Sequence, residues 1–92
     1  MTKREQEEYR RLFKEGTIGI PVGKKDTKIA HWWIKVYDEP SEYGINEGKI
    51  SKLTIKIDGV TTACYDRGWD LKPDEHDQAT LIALQIILSD YN

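Results

Sequence analysis

The sequence predicts an α+β domain: an antiparallel meander of three to four strands, with an N-terminal helix and a C-terminal helix packed on one face. Three observations carry this. Residues 28–37, 49–57 and 60–66 are rich in β-branched and aromatic side chains. Asp58-Gly59 stands between two of those runs, a strong signal for a two-residue hairpin. Both ends of the chain are dominated by good helix formers.

The elements follow in order. Residues 2–15 (TKREQEEYRRLFKE) favour helix, and Gly16 follows as a stop. The apolar stripe there is thin: Tyr9, Leu12 and Phe13, at i, i+3 and i+4. Residues 17–22 (TIGIPV) read as a short strand, which Pro21 confines to a sheet edge or a strand end. Gly23-Lys24-Lys25-Asp26 is a turn, residues 28–37 the clearest strand, and residues 38–48 a polar loop. Residues 49–57 and 60–66 pair across the Asp58-Gly59 turn. Residues 67–72 read as loop, and Pro73 or Asp74 opens a helix to about Tyr91, with Asp74, Glu75 and Asp77 in its first turn. The whole is one domain over 1–92: helix to residue 16, sheet over 17–72, helix over 73–92.

Composition bounds the function. Ninety-two residues can fold alone with little margin. Three Trp, five Tyr and one Phe supply large buried areas. No apolar run reaches the roughly 18–20 residues of a membrane span, so no membrane partner is expected. The charged opening has no apolar segment behind it, unlike a secretory signal. Cys64 is the single cysteine, which suits a reducing cytosol and predicts a cytoplasmic protein. Charge is unevenly spread. Residues 1–30 carry eight Lys or Arg against five acids, and residues 31–92 carry six against eleven. With a net charge of −2, any nucleic-acid contact must rest on a local surface.

A regular two-residue turn sets the expected register: Ile57 opposite Val60, Ile55 opposite Thr62, Leu53 opposite Cys64. Those six, with Ala30, Trp32, Ile34 and Val36, form the expected core face, and Cys64 is then a small buried hydrophobe. The C-terminal helix has two apolar stripes, one of Ala79, Ile82, Ala83, Ile86 and Ile87, the other of Leu81, Leu84, Leu88 and Tyr91. An arc this wide implies burial on more than one side, against the N-terminal helix or against a second copy in a homodimer.

The other sheet face carries His31, Trp33, Lys35, Tyr37, Lys52, Thr54, Lys56, Thr61, Ala63 and Tyr65, with Lys52 opposite Tyr65. Aromatics interleaved with lysines can stack a base and hold its phosphate. The simpler alternative has Tyr9, Leu12 and Phe13 covering Trp33. The densest informative cluster is Tyr65-Asp66-Arg67-Gly68-Trp69-Asp70. Arg67 offers a planar fork of donors, Trp69 a stacking face, and Gly68 a place for positive φ. This predicts a small-anion site, joined by the Ser41–Gly44 loop, with Tyr65, Arg67, Trp69, Trp33, Tyr37 and Lys52 as ligand-binding residues. The alternative is a structural corner in which Arg67 pairs with Asp66 or Asp70 and Trp69 plugs the core edge.

No catalytic residue and no cofactor is predicted. His31 and His76 have no metal-ligand spacing, and one cysteine makes no zinc site. No phosphate-cradling GxxxxGK[ST], G-x-S-x-G elbow or H-E-x-x-H occurs. Asp66 and Asp70 are too ordinary a pair to signal acid–base chemistry.

The motifs DEPSEYGI, GKISKL, the DG hairpin and YDRGWD resemble a family of short uncharacterised proteins from Firmicutes and their phages, over about residues 32–92. That resemblance implies a bacterial or phage context and no assigned activity. The element order is also similar to double-stranded RNA-binding domains, which grip phosphates with a basic start of the last helix. Here that segment is Pro73-Asp74-Glu75-His76-Asp77, which argues against double-stranded nucleic acid. The expected function is thus a non-enzymatic binding module for a small anionic ligand or nucleotide. The alternative is a protein-interaction factor, such as a phage-encoded inhibitor of a host protein.

Overall fold

The computed structural model describes Thr2, Lys3 and residues 10–92. Residues 10–12 end a short N-terminal helix, and Tyr9 lies outside the described residues. The sheet has five antiparallel strands in sequential order: β1 (Phe13–Val22), β2 (Asp26–Val36), β3 (Ile50–Ile57), β4 (Val60–Asp66) and β5 (Trp69–Leu71). The C-terminal helix, Gln78–Tyr91, packs on one face and touches β1, β2 and β3. The α+β meander is as expected, with one strand more. No helix among the described residues is long and apolar enough to cross a membrane.

The helical reading of residues 2–15 runs too far. Phe13, Lys14 and Glu15 are strand, paired with Lys35, Ile34 and Trp33. Helix propensity there is worth only tenths of a kcal/mol per residue. The competing ladder to β2 places Gly16 beneath the Trp32 ring, where a Cβ would come within 2.6 Å of the ring. Trp32 is 7% exposed and meets Tyr91 of the helix at 5.4 Å between ring centroids. As Pro21 requires, β1 is an edge strand.

Ile20, Ala30, Trp32, Ile34, Leu53, Ile55 and Ile57 face the helix, which contributes Ala79, Ala83, Leu84 and Ile87. Leu88 and Tyr91 also pack against this core. Most of both helical stripes is therefore spent on the sheet. Ile82 and Ile86 are left at 42% and 38% exposure.

The expected hairpin register holds for two pairs only. Ile57 faces Val60 and Lys56 faces Thr61, but Ile55 then faces Ala63, Thr54 faces Cys64, Leu53 faces Tyr65 and Lys52 faces Asp66. Thr62 is the extra residue of a β-bulge. Because side chains alternate, a one-residue insertion exchanges the faces beyond it. Ala63 and Tyr65 enter the core at 0% and 7% exposure, and Cys64 is half-buried on the open face. The register without the bulge would bury a thiol and expose a phenol ring. Burying the ring removes roughly 150–250 Å² from water, so the bulge wins. It also supports the helix start: the Thr62 and Thr80 hydroxyls lie 2.7 Å apart, and Thr80 Oγ1 donates to Asp77 Oδ2 at 2.6 Å.

The C-terminal helix begins later than the sequence suggests. Asp74 Oδ1 accepts the His76 N–H at 2.7 Å, and Asp74 O accepts the Asp77 N–H at 3.0 Å. This local turn competes with helix, as aspartate side chains often do. Asp77 is the N-cap, accepting the Thr80 N–H at 3.1 Å, and the first turn contains no acid. β5 falls where a loop was expected. Its three residues are too few to carry a period, and it forms because Trp69 packs edge-on against Tyr65, 5.1 Å between centroids.

Candidate functional site

Three departures from regular sheet open a cleft at one end of the meander. β2 is irregular at Lys35/Val36, and the Tyr37 N–H then donates to Lys49 O at 3.0 Å. Residues 37–49 fold over as a built loop rather than a slack one. Its Ile45 is buried, and Asn92 clamps it from beneath, accepting the Ile50 N–H at 3.0 Å and donating to Ile45 O at 2.9 Å. Tyr65 Oη donates to Tyr43 O at 2.8 Å. The third departure is the corner between β4 and β5, where the Arg67 N–H donates to Ser51 O at 2.9 Å.

The resulting open cleft measures about 750 Å³. Lys35, Lys52 and Arg67 bring three cations to it, and Tyr37 and Tyr43 two exposed rings. Lys35 Nζ lies 5.0 Å from the centre of the Tyr37 ring. Ser41 and Ser51 add hydroxyls, and the Ser51 Oγ is buried with no hydrogen-bond partner among the described residues. Asp38 and Glu39 are the carboxylates of the rim. Arg11 engages Asp38 through two bonds of 3.1 and 3.2 Å, tying the end of the N-terminal helix to the cleft edge.

Arg67 sits at φ +56°, in the left-handed region that favours glycine. The sequence places that freedom at Gly68, one residue too late. Its guanidinium is only loosely paired, with Nε 3.8 Å from Asp66 Oδ1 and both side chains largely exposed. A non-glycine residue held in this conformation beside a cleft is the kind of strain found at functional sites.

Of the six residues singled out by sequence, the cleft gathers Tyr37, Lys52 and Arg67. Tyr65 belongs to the core, and Trp69 packs edge-on against it, partly buried. Trp33 lies further along the open face, stacked on His31 at 4.6 Å and 9° between planes, with Lys56 Nζ 5.8 Å from its ring centre. The register places Asp66, not Tyr65, opposite Lys52. Sequence reasoning missed Lys35 and Ser51 as cleft residues. Lys35 had a signal, since it lies on the aromatic and lysine face, but Ser51 had none.

Asp38 is held below the ordinary aspartate range, first by its hydrogen bonds to Arg11, then by the Arg11 charge, with a smaller contribution from Lys49. A depressed folded-state pKa means that the pair contributes above the unfolded-state pKa and is lost as pH falls through the folded-state value. In an Arg11→Ala variant the Asp38 carboxyl should therefore titrate at higher pH than in the wild type. Carboxyl carbon NMR across pH 2–6 checks this, and equal midpoints would refute the pairing.

No curated protein and no solved structure matches the chain. A family match does, and it extends beyond the motifs quoted above, starting at residue 12 and so taking in TIGIPVG. The chain belongs to that family, Domain of unknown function (DUF7678), which covers its residues 12–92.

Proposed function

We propose that this domain is a non-enzymatic binding module for a small anionic ligand, with a nucleotide as the preferred class. The observation that carries the reading is the convergence of Lys35, Lys52 and Arg67 with Tyr37 and Tyr43 on one cleft. Cations at a concave site attract phosphate or carboxylate, and a guanidinium fork binds either in two-point fashion. Exposed tyrosines offer faces for a ring. The Ser51 hydroxyl adds a buried polar group that lacks a partner among the described residues. The setting we assign is the reducing cytoplasm of a bacterium or a phage-infected cell, on the lone cysteine and the motif resemblance.

Arg67→Gly separates binding from folding. Glycine removes the left-handed penalty of roughly 1–2 kcal/mol but adds unfolded-state entropy worth about 0.4–1 kcal/mol. Stability should be unchanged or rise by up to about 1.6 kcal/mol. Losing a charged donor should weaken a bound nucleotide about tenfold or more. Urea unfolding and calorimetric titration with a panel of nucleoside phosphates read the two effects. If no phosphate in the panel binds the wild type, or Arg67→Gly binds it equally well, the reading is wrong.

A second reading, a protein-interaction factor such as a phage inhibitor of a host protein, is favoured by one observation. Ile82 and Ile86, one turn apart on the outer helix face, are exposed. Two residues make a small patch beside the cleft's five recognition side chains, so the anion reading leads.

A further inference from the structure

The cleft is one end of a longer surface. On the two central strands the open face presents Ile29, His31, Trp33 and Lys35 from β2, and Lys52, Thr54 and Lys56 from β3. All three charged side chains in that set are lysines, in a protein of net charge −2. The carboxylates that border this face include Asp38 and Glu39 on the cleft rim, Glu15 opposite Trp33 on β1, Asp58 at the hairpin turn, and Asp66 opposite Lys52 on β4. Lys52 and Lys56 are four residues apart on one strand, or about 13 Å. The second of them borders a hollow of about 230 Å³ lined also by His31 and Trp33.

We propose that this face binds a single-stranded polynucleotide, with one nucleotide in the cleft and the strand continuing across Lys52 and Lys56 to the His31–Trp33 stack. The inference rests on the anion reading of the cleft and extends it from one phosphate to several. Flat aromatic faces between cations are what single strands require, because every base has a π-face and every phosphate a charge. A duplex hides its base faces, and its regular backbone would meet the marginal carboxylates. Base stacking and phosphate contacts of this kind use no 2′-hydroxyl, so single strands of DNA and of RNA present the same chemistry to this face.

The test is fluorescence anisotropy with labelled 12-mer thymidylate at low salt, competed by thymidine 5′-monophosphate, 12-mer uridylate and a 12-base-pair duplex. The oligonucleotide should bind at least tenfold tighter than the monophosphate, 12-mer uridylate should displace it within a few-fold of unlabelled DNA, and the duplex should not. Trp33→Ala and Lys56→Ala should each weaken the oligonucleotide about tenfold while leaving the monophosphate unchanged. Lys52→Ala should weaken both. Affinity should fall with salt, because released counterions drive the contact. A monophosphate that binds as tightly as the 12-mer overturns this inference and leaves the cleft reading standing. Loss of both ligands from the wild type removes both. Tighter binding of the duplex overturns the choice of a single strand, and failure of 12-mer uridylate to compete overturns the shared recognition of the two strand types.

Discussion

Tyr65→Ala is expected to destabilise the domain by about 3–5 kcal/mol, whereas Cys64→Ala should cost about 1 kcal/mol or less. Tyr65 is 7% exposed, Trp69 packs edge-on against it, and its hydroxyl holds the carbonyl of Tyr43. Truncation leaves a ring-sized cavity, strips β5 of its packing partner and releases the loop that walls the cleft. Cys64 is half-buried on the open face and loses one small atom group. A total stability of about 5–15 kcal/mol is usual for domains, so the tyrosine variant should lose much of its urea midpoint. Tyr65→Phe isolates the hydroxyl and should cost about 1 kcal/mol. The comparison also tests the bulge at Thr62. If the cysteine variant proves the more damaging, the regular hairpin register is correct and the open face must be redrawn.

Gly44→Ala should cost about 3 kcal/mol through overpacking and should dismantle the cleft. The reason is space and not backbone freedom, because Gly44 has an ordinary φ of −76°. It is buried, and an added Cβ would overlap the Gly48 carbonyl, which accepts the Ser41 N–H at 3.1 Å. Any relief must push residues 41–48 outward, away from the Asn92 clamp. Urea unfolding reads the loss, and amide NMR should localise the largest shifts to residues 37–49. A variant with unchanged stability and an undisturbed loop would show that the turn has slack. An alanine tolerated in folding but abolishing nucleotide binding would show that loop position, not stability, is what the cleft needs.

Some of the architecture is legible in the sequence. Alternation in KISKLTIKI, the Asp58-Gly59 turn and the β-rich run KIAHWWIKVY specify three paired strands through local chemistry alone. Pro21 specifies an edge, since it cannot donate to a ladder on both sides. The acidic stretch Pro73–Asp77 could be read as a helix boundary, and only its exact cap needed the Asp74 turn to be seen. In the site, Tyr37, Lys52 and Arg67 were legible because a cation or an exposed ring near a turn signals itself by type.

The tertiary structure decided everything that depends on competition between distant residues. Phe13–Glu15 left the helix because β2 and the Trp32 ring offered more than helix propensity could. Thr62 bulged because burying Tyr65 outweighs a regular ladder, and that insertion moved Tyr65 from candidate ligand face to core and Cys64 the other way. Ser51 and Lys35 joined the cleft because loop 37–49 and the β4–β5 corner fold beside them. Arg67 carries the left-handed φ in place of Gly68 because the corner is pinned to Ser51. The local pattern of side chains determined which segments pair. Which faces they bury, and therefore which residues meet at the cleft, was determined by the free energy of packing rings and apolar side chains far apart in the chain.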